Sequence, residues 1–276
     1  MKLIWTIDIK DENYFQSNHS CKPIIWQDNL FYAFITLDKL NIDESKFYGA
    51  KIVVFKIDFN TKSVSQKSIS FSYNKKKSFD STKDWIFFTE NDNLMLYVGL
   101  TLNVSKSEII IAEDKQKFEK FSIKHSYSFD DKRLNHNQRS TLECFDSKNN
   151  QLIWKQNLKG YLYTYITKKE NLIFFGTAGK GGAFYCINID NGKILVEFNN
   201  GDASEFAWSK NNIIIKDKKG NLVKLNPVNG EIIETLKLKE KIYPYAPIYL
   251  NDSKIFTRVY NDKEKLTKLI YIDNTD

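Results

Sequence analysis

The 276-residue sequence is poor in the residues that mark several protein classes. Cysteine occurs three times, as Cys21, Cys144 and Cys186, with no CxxC spacing. That excludes a disulfide framework and a cysteine-based zinc site. Cys144 and Cys186 lie inside apolar, strand-like runs, where a free thiol behaves as a small buried hydrophobe. The only histidines, His19, His125 and His136, show neither HxH nor HxxxH spacing. No stretch approaches the roughly 18 apolar residues of a membrane helix. The opening MKLIWTIDIKDENYF is interrupted by Asp8, Lys10, Asp11 and Glu12, too early for an export signal. The expectation is a cytoplasmic protein with no membrane partner. Amphipathic stretches of 3.6-residue period are missing too, which predicts little helix.

What is present is apolar, aromatic and charged. Hydrophobic residues make up 42% and charged residues 27%, enough to build a core and too apolar for a disordered chain. Aromatics reach 14%, with 20 Phe and 15 Tyr, a bias toward pleated, half-buried surfaces. The formal charge is +7. The lysines are spread along the chain among Asp and Glu, with Lys75, Lys76 and Lys77 as the longest basic run. Nucleic-acid readers concentrate charge on one face, so this pattern points to solvation of a surface and away from nucleic acid.

The chain repeats itself. VFKIDFNTKSVSQKSI from Val54, TLECFDSKNNQLIWKQNL from Thr141, AFYCINIDNGKILVEFN from Ala183 and LVKLNPVNGEIIETLKL from Leu222 share one plan. IIIAEDKQKFEKFSI from Ile109 is a weaker copy. An apolar strand leads to Asp or Asn, then a short polar turn, then a second apolar strand. Asp58, Asp146, Asn188, Asn226 and Asp273 fill the acid or amide position. Asn150, Gly192 and Gly230 fill turn positions that tolerate positive φ. Each copy predicts a β-hairpin, with the Asp or Asn side chain closing the turn. Two further strands precede most copies, and four strands per unit of about 40 residues is the pattern of propeller blades.

The two ends of the chain belong to the same pattern. Asp146 precedes Trp154 by eight positions, and Asp273 reaches Trp5 by the same count when KLIYIDNTD is read on into MKLIWTIDI. Residues 1–9 therefore complete the last blade and close the fold by pairing with the C-terminal strand. The expectation is a single all-β domain over 1–276, a β-propeller of four-stranded antiparallel blades. Five blades are preferred and six are the alternative. Segment 102–138 is read as an insertion, because 126–139 is polar and lacks strand-like runs.

The segments FDSKNNQLIWK, INIDNGKILVEF and FFGTAGKGGAFYCINID resemble the repeat of pyrroloquinoline-quinone-type β-propellers. That family's hairpin reads Ala-x-Asp, three residues, Gly-Lys, two residues, Trp. Asp146 with Trp154 and Asp273 with Trp5 keep both anchors; Val196 and Glu234 replace the tryptophan in the copies led by Asn188 and Asn226. The resemblance implies a propeller in which Trp5 and Trp154 dock on the neighbouring blade. It does not fix function, since such repeats serve quinone enzymes, outer-membrane scaffolds and binding proteins alike.

Catalytic signatures do not emerge. There is no vicinal cysteine pair of the quinone enzymes, no nucleophile elbow and no acid–base set. Gly176, Gly179, Gly181 and Gly182 invite a phosphate-loop reading, but Phe174 stands at the required first glycine and Gly181 at the required Ser or Thr. These glycines are expected to serve a β-turn. No catalytic, cofactor-binding or metal-ligating residue is assigned, and no cofactor. The leading expectation is a non-enzymatic protein-binding propeller, monomeric when free, in its specific form an immunity protein that neutralises a bacterial toxin. Tyr127, Phe129, Arg133 and His136 are the expected partner-binding residues, carried on the polar insertion. A hydrolase or lyase with a site in the axial funnel and a nucleic-acid-binding propeller are the competing readings.

Overall fold

The computed structural model describes residues 1–9, 15–20, 23–37, 47–74, 86–97, 101–105, 108–110, 126–137, 140–203, 205–242, 246, 248–261 and 266–274. Every regular element among them is a β-strand, and the strands assemble into six antiparallel sheets. The fold is that of β-propeller blades. The first blade contains β2 (Phe15–Ser20), β3 (Ile24–Trp26), β4 (Asn29–Leu37), β5 (Phe47–Asp58) and β6 (Val64–Asn74). The second contains β7 (Ile86–Glu90), β8 (Asn93–Tyr97), β9 (Thr101–Asn103) and β10 (Glu108–Ile110). The third contains β11 (Ser126–Phe129), β12 (Lys132–Asn137), β13 (Thr141–Asp146) and β14 (Leu152–Asn157).

The fourth blade holds β15 (Tyr161–Leu162), β16 (Thr167–Lys169), β17 (Leu172–Asn188) and β18 (Ile194–Ala203). The fifth holds β19 (Phe206–Ser209), β20 (Asn212–Lys216), β21 (Leu222–Leu225) and β22 (Ile232–Leu236). In the sixth, β23 (Lys241–Ile242) and β24 (Tyr249–Asn251) both pair with β25 (Lys254–Asn261), followed by β26 (Leu266–Asp273) and β1 (Lys2–Ile9). The chain divides into two compact units, Met1–Ile9 with Ile123–Asp276, and Lys10–Ser122.

Pairing of the chain ends is as expected. β1 runs antiparallel to β26, with Leu3 opposite Ile272, Trp5 opposite Tyr271 and a bulge between them. The side chain of Trp5 lies outside the described residues.

Among the described residues the sheets number six, the alternative blade count, and segment 102–138, expected as an insertion, contains blade strands. Its described residues supply β9 and β10 to the second blade and β11 and β12 to the third. The remainder of the weaker copy from Ile109 lies outside the described residues. β11 and β12 escape notice in the sequence because their faces alternate. Tyr127 and Leu134 are buried while Ser126 and Ser128 are exposed, so no apolar run forms. β7 and β8 are likewise joined by a tight turn at Asn91 and Asp92, both at positive φ.

The repeated hairpin has one local mechanism. Asp146 Oδ1 accepts the backbone N–H groups of Lys148 (2.7 Å) and Asn149 (3.2 Å), and Asn150 N–H donates to the Asp146 carbonyl (2.9 Å). Asn188, Asn226 and Asp58 accept in the same way. The residue four positions on, Lys62, Asn150, Gly192 or Gly230, takes positive φ. Three blades and the joined ends then carry the same β-bulge, with Ile153, Leu195, Ile233 and Ile4 as the extra residue. A bulge bends an exposed edge strand and hinders edge-to-edge pairing.

Within the unit that holds the third to sixth blades, the sheets pack face to face in chain order. Leu142, Cys144 and Trp154 of the third blade meet Phe175, Tyr185 and Ile187 of the fourth. Phe174, Phe184 and Cys186 meet Ile213, Ile215 and Val223 of the fifth. Ile214 and Leu222 meet Ile255, Val259 and Ile270 of the sixth. Ile213, Ile214 and Ile215 thus face opposite neighbours in turn, so a strand covered on both sides reads as an unbroken apolar run.

The docking of Trp154 follows the expected geometry. Its Nε1–H donates to the Ile189 carbonyl (2.7 Å), and its ring lies where a Cβ on Gly192 would sit, 2.7 Å away. Gln156 Nε2 donates to the Gly192 carbonyl at 2.8 Å. Val196 holds the corresponding place against Gly230, 3.3 Å from its absent Cβ. Glu234, in the same place on the fifth blade, pairs with the α-ammonium of Met1.

Candidate functional site

The four residues expected to bind a partner lie on paired strands of the third blade, not on a protruding polar loop. Tyr127 is 9% exposed within the core, and Phe129 stacks on it at 6.3 Å. His136 Nε2 accepts the Leu162 N–H at 3.0 Å, tying the third blade to the fourth. Arg133 lies over the Phe145 ring at 5.4 Å and donates to Asn150 Oδ1. Tyr127 and His136 pair with the fourth blade, while Arg133 engages the hairpin of its own blade. They do not converge on one surface.

The thiols are equally committed to structure. Burial pushes Cys144 and Cys186 up to about 11, so neither forms an appreciable thiolate at neutral pH. Both are expected to resist alkylation in the native protein at pH 8 and to react at once in denaturant. Disulfide-exchange labelling with peptide mapping checks this; fast native labelling at either position would contradict the packing. Cys21 and His125 lie outside the described residues, as do the side chain of His19 and the run Lys75 to Lys77. Among the described residues no three His, Cys, Asp or Glu side chains converge as metal ligands.

A different surface assembles at one end of the fourth, fifth and sixth blades. In an antiparallel sheet, turns joining the first strand to the second and the third to the fourth leave from one end. The remaining links leave from the other. In this unit the first end carries the Asx turns and is acidic, with Asp130, Asp131, Asp146, Asp190 and Asp252. The opposite end carries Lys159, Lys180, Lys218, Lys219, Lys239 and Lys241, all exposed.

These lysines sit on rigid turns. Gly160 has φ +79°, and a Cβ there would lie 2.1 Å from the Ala178 carbonyl oxygen, so only glycine allows the approach. Lys159 N–H donates to the Tyr185 hydroxyl at 2.8 Å, and its ammonium pairs with Glu197. Burial pushes the Tyr185 phenol up to about 12, so it remains a neutral hydrogen-bonding group. The expected glycine turn is present. Gly179 and Gly181 take φ +92° and +82°, while the Thr177 hydroxyl accepts from the Ala183 N–H at 3.0 Å. Lys180 stands between those glycines, and Tyr161, which is 44% exposed, lies 3.3 Å from where a Gly179 Cβ would stand.

The fifth blade repeats the design. Asp217 Oδ1 accepts from Lys219 N–H and Asn221 N–H, both at 2.8 Å. The Gly220 carbonyl accepts Ile242 N–H at 3.1 Å, and Lys241 Cβ lies 2.8 Å from where a Gly220 Cβ would stand. Lys218, Lys219 and Lys241 are thereby held in one neighbourhood. Sequence reasoning missed this surface. Its only traces are the short lysine-bearing links AGKGG, KDKKG and KLKEK, which share an end only once the strands are placed.

No protein-family model and no curated protein matches the chain. Among solved structures, the chain is similar to BamB from Moraxella catarrhalis at 9% identity, over 98% of this chain and 99% of that one, with a TM-score of 0.44. It is also similar to the computationally designed Ika4 protein at 18% identity, over 55% of this chain and 91% of that one, with a TM-score of 0.39. The computationally designed Ika8 protein follows at 12% identity, over 92% and 71%, also with a TM-score of 0.39. At these TM-scores the likenesses carry no argument about the site.

Proposed function

We infer that the protein is a non-enzymatic, protein-binding propeller of the pyrroloquinoline-quinone-type repeat class, and that its partner presents an acidic surface. The observation that carries this reading is the row of exposed lysines on rigid turns at one end of the blades, with Tyr161 beside them. Fixed charges of one sign steer an oppositely charged partner and raise the association rate. Lysine supplies compact point charges suited to carboxylates. Among the described residues of these turns the charges are lysines and not arginine, the usual bidentate reader of guanine and phosphate, which favours protein over nucleic acid. Buried thiols and a buried, neutral Tyr185 favour a structural interior over a catalytic one.

Within this reading we place an immunity role in the cytoplasm, in which the propeller occludes a bacterial toxin by binding its acidic face. A small propeller whose repeats have drifted to two intact Asp–Trp pairs fits a binding scaffold free of cofactor constraints.

Affinity capture from the native cells tests the reading, using the wild type beside a Lys180→Glu, Lys218→Glu, Lys219→Glu variant. A protein partner is expected on the wild type and at least tenfold less on the variant, for a loss of about 1.4 kcal/mol or more. The association rate is expected to fall steeply with added salt, while the melting temperature stays unchanged. Equal capture by both proteins, or capture of nucleic acid alone, would overturn the reading.

A further inference from the structure

Two turns at the lysine end hold equivalent places on adjacent blades. The first half of β17 pairs with β15 and β16 and its second half with β18, and Gly179, Lys180 and Gly181 lie between the halves. Residues 217–221 join β20 to β21 in the same way on the fifth blade. The two sheets pack face to face, Phe174 and Phe184 against Ile213 and Val223. Stacked sheets lie about 10 Å apart, so the two turns are separated by about that distance.

The fifth-blade turn gathers three ammonium groups. Lys218 and Lys219 belong to it, and the Lys241 Cβ lies 2.8 Å from where a Gly220 Cβ would stand. Gly220 has φ +82°, and its carbonyl accepts Ile242 N–H at 3.1 Å, so the approach is fixed by backbone. All three lysines are exposed, as is Lys180 on the fourth-blade turn. Among the described residues none of the four side chains has an ion-pair or hydrogen-bond partner. The acids of these links are already engaged. Asp217 accepts from Lys219 N–H, Asn221 N–H and Asn221 Nδ2. Glu240 accepts from the Lys268 ammonium at 2.6 Å, and Glu205 is engaged as well. Three like charges held on one rigid turn repel each other, and a bound anion relieves that repulsion.

The pattern is uneven, with a cluster on one turn and a single lysine on the other. A nucleic-acid strand spaces its phosphates evenly and has no cluster to match it. A peptide can place several carboxylates in one run. An extended chain advances about 3.3 Å per residue, so a carboxylate three residues from the run reaches about 10 Å, the separation of the turns. Both turns are preformed, which spares the ordering cost on the protein's side of the contact.

We propose that these two turns bind an extended acidic segment of the partner protein. A run of carboxylates sits on Lys218, Lys219 and Lys241, and a further carboxylate three residues away sits on Lys180. The inference rests on the protein-binding reading and replaces a general acidic surface by a linear motif.

The test uses the full chain labelled with nitrogen-15 and reads the backbone N–H resonances of Gly220 and Gly179. The probes are acetyl-Glu-Glu-Glu-Gly-Gly-Glu-amide, the same peptide ending in Gln, and a thymidine oligonucleotide with the net charge of the first. Both peptides are also used in the reverse sequence direction, since a chain can cross the blades either way. In one direction the first peptide is expected to shift both resonances saturably. It is expected to bind about two- to threefold tighter than the Gln peptide, as one more exposed ion pair allows. Lys180→Gln is expected to erase that difference. Lys218→Gln with Lys219→Gln and Lys241→Gln is expected to weaken both peptides about five- to tenfold. Melting temperatures stay unchanged in both variants. No saturable shift at Gly220 in the wild type would overturn the proposal, as would equal binding of the two peptides in both directions. Tighter binding of the oligonucleotide would assign the turns to nucleic acid and overturn it too. Peptide binding without any captured protein would leave this site standing and remove the protein-binding reading. Lysine-dependent capture without peptide binding would keep that reading and replace the linear motif by a folded acidic face.

Discussion

Deletion of residues 1–9 is expected to abolish cooperative melting of the unit that contains the third to sixth blades. Among the described residues β1 is the only partner of one edge of β26, with pairs running from Lys2 with Asp273 to Ile9 with Thr267. Without β1, the outer edge of β26 presents unpaired N–H and C=O groups. Leu269, Ile270 and Ile272, all at most 2% exposed, then lie one strand from solvent. Each ladder bond contributes about 1 kcal/mol, and a domain has only about 5–15 kcal/mol in total. Losing a whole edge strand consumes most of that margin and leaves a bare strand edge, which promotes aggregation. Calorimetry and size-exclusion chromatography of the truncated protein check the expectation. Adding the nine-residue peptide in trans should restore part of the transition. An unchanged melt after truncation would show that the terminal pairing contributes nothing to stability.

Replacing Trp154 by Ala is expected to cost about 3–5 kcal/mol, the range for removing a large aromatic from a packed interior. Trp154 is 7% exposed and does three things at once. It fills the third-to-fourth blade gap, packs on the Gly192 turn, and donates to Ile189 O. Trp154→Phe is expected to keep part of the packing and to lose only about 1–3 kcal/mol, the cost of leaving the Ile189 carbonyl short of its donor plus the smaller ring. Gly192→Ala attacks the same contact from the other side, because its φ of +72° disfavours a side chain and the new Cβ would meet the indole at 2.7 Å. Urea titration of the three variants measures the order. A Trp154→Ala cost below about 1 kcal/mol, within the range of an ordinary surface change, would overturn the docking account.

Much of this fold was legible as text. The Asp or Asn that closes each hairpin, the positive-φ residue four positions on, and the tryptophan at the eighth position are set by bonds within one turn. They repeat wherever the turn repeats. The joining of the two ends was visible for the same reason, since the eight-step spacing survives the break between Asp273 and Trp5. The third blade's first two strands were not visible. Ser126–Phe129 is paired to Lys132–Asn137, which in turn is paired to β13, and backbone bonds leave no mark on side-chain identity. For that reason 126–139 reads as loop, the blade count reads one short, and Tyr127 passes for a surface anchor when it is core.

The sequence alone determined the strand-and-turn grammar, the all-β class and the structural fate of Cys144 and Cys186, because each depends on neighbours a few residues away. Only the tertiary structure decided which lysines share an end of the blades. Lys159, Lys180, Lys218 and Lys241 are far apart in the chain and stand at the same end of their sheets because antiparallel strands return alternate links to that end. That outcome depends on register and packing between strands, which a one-dimensional pattern does not contain.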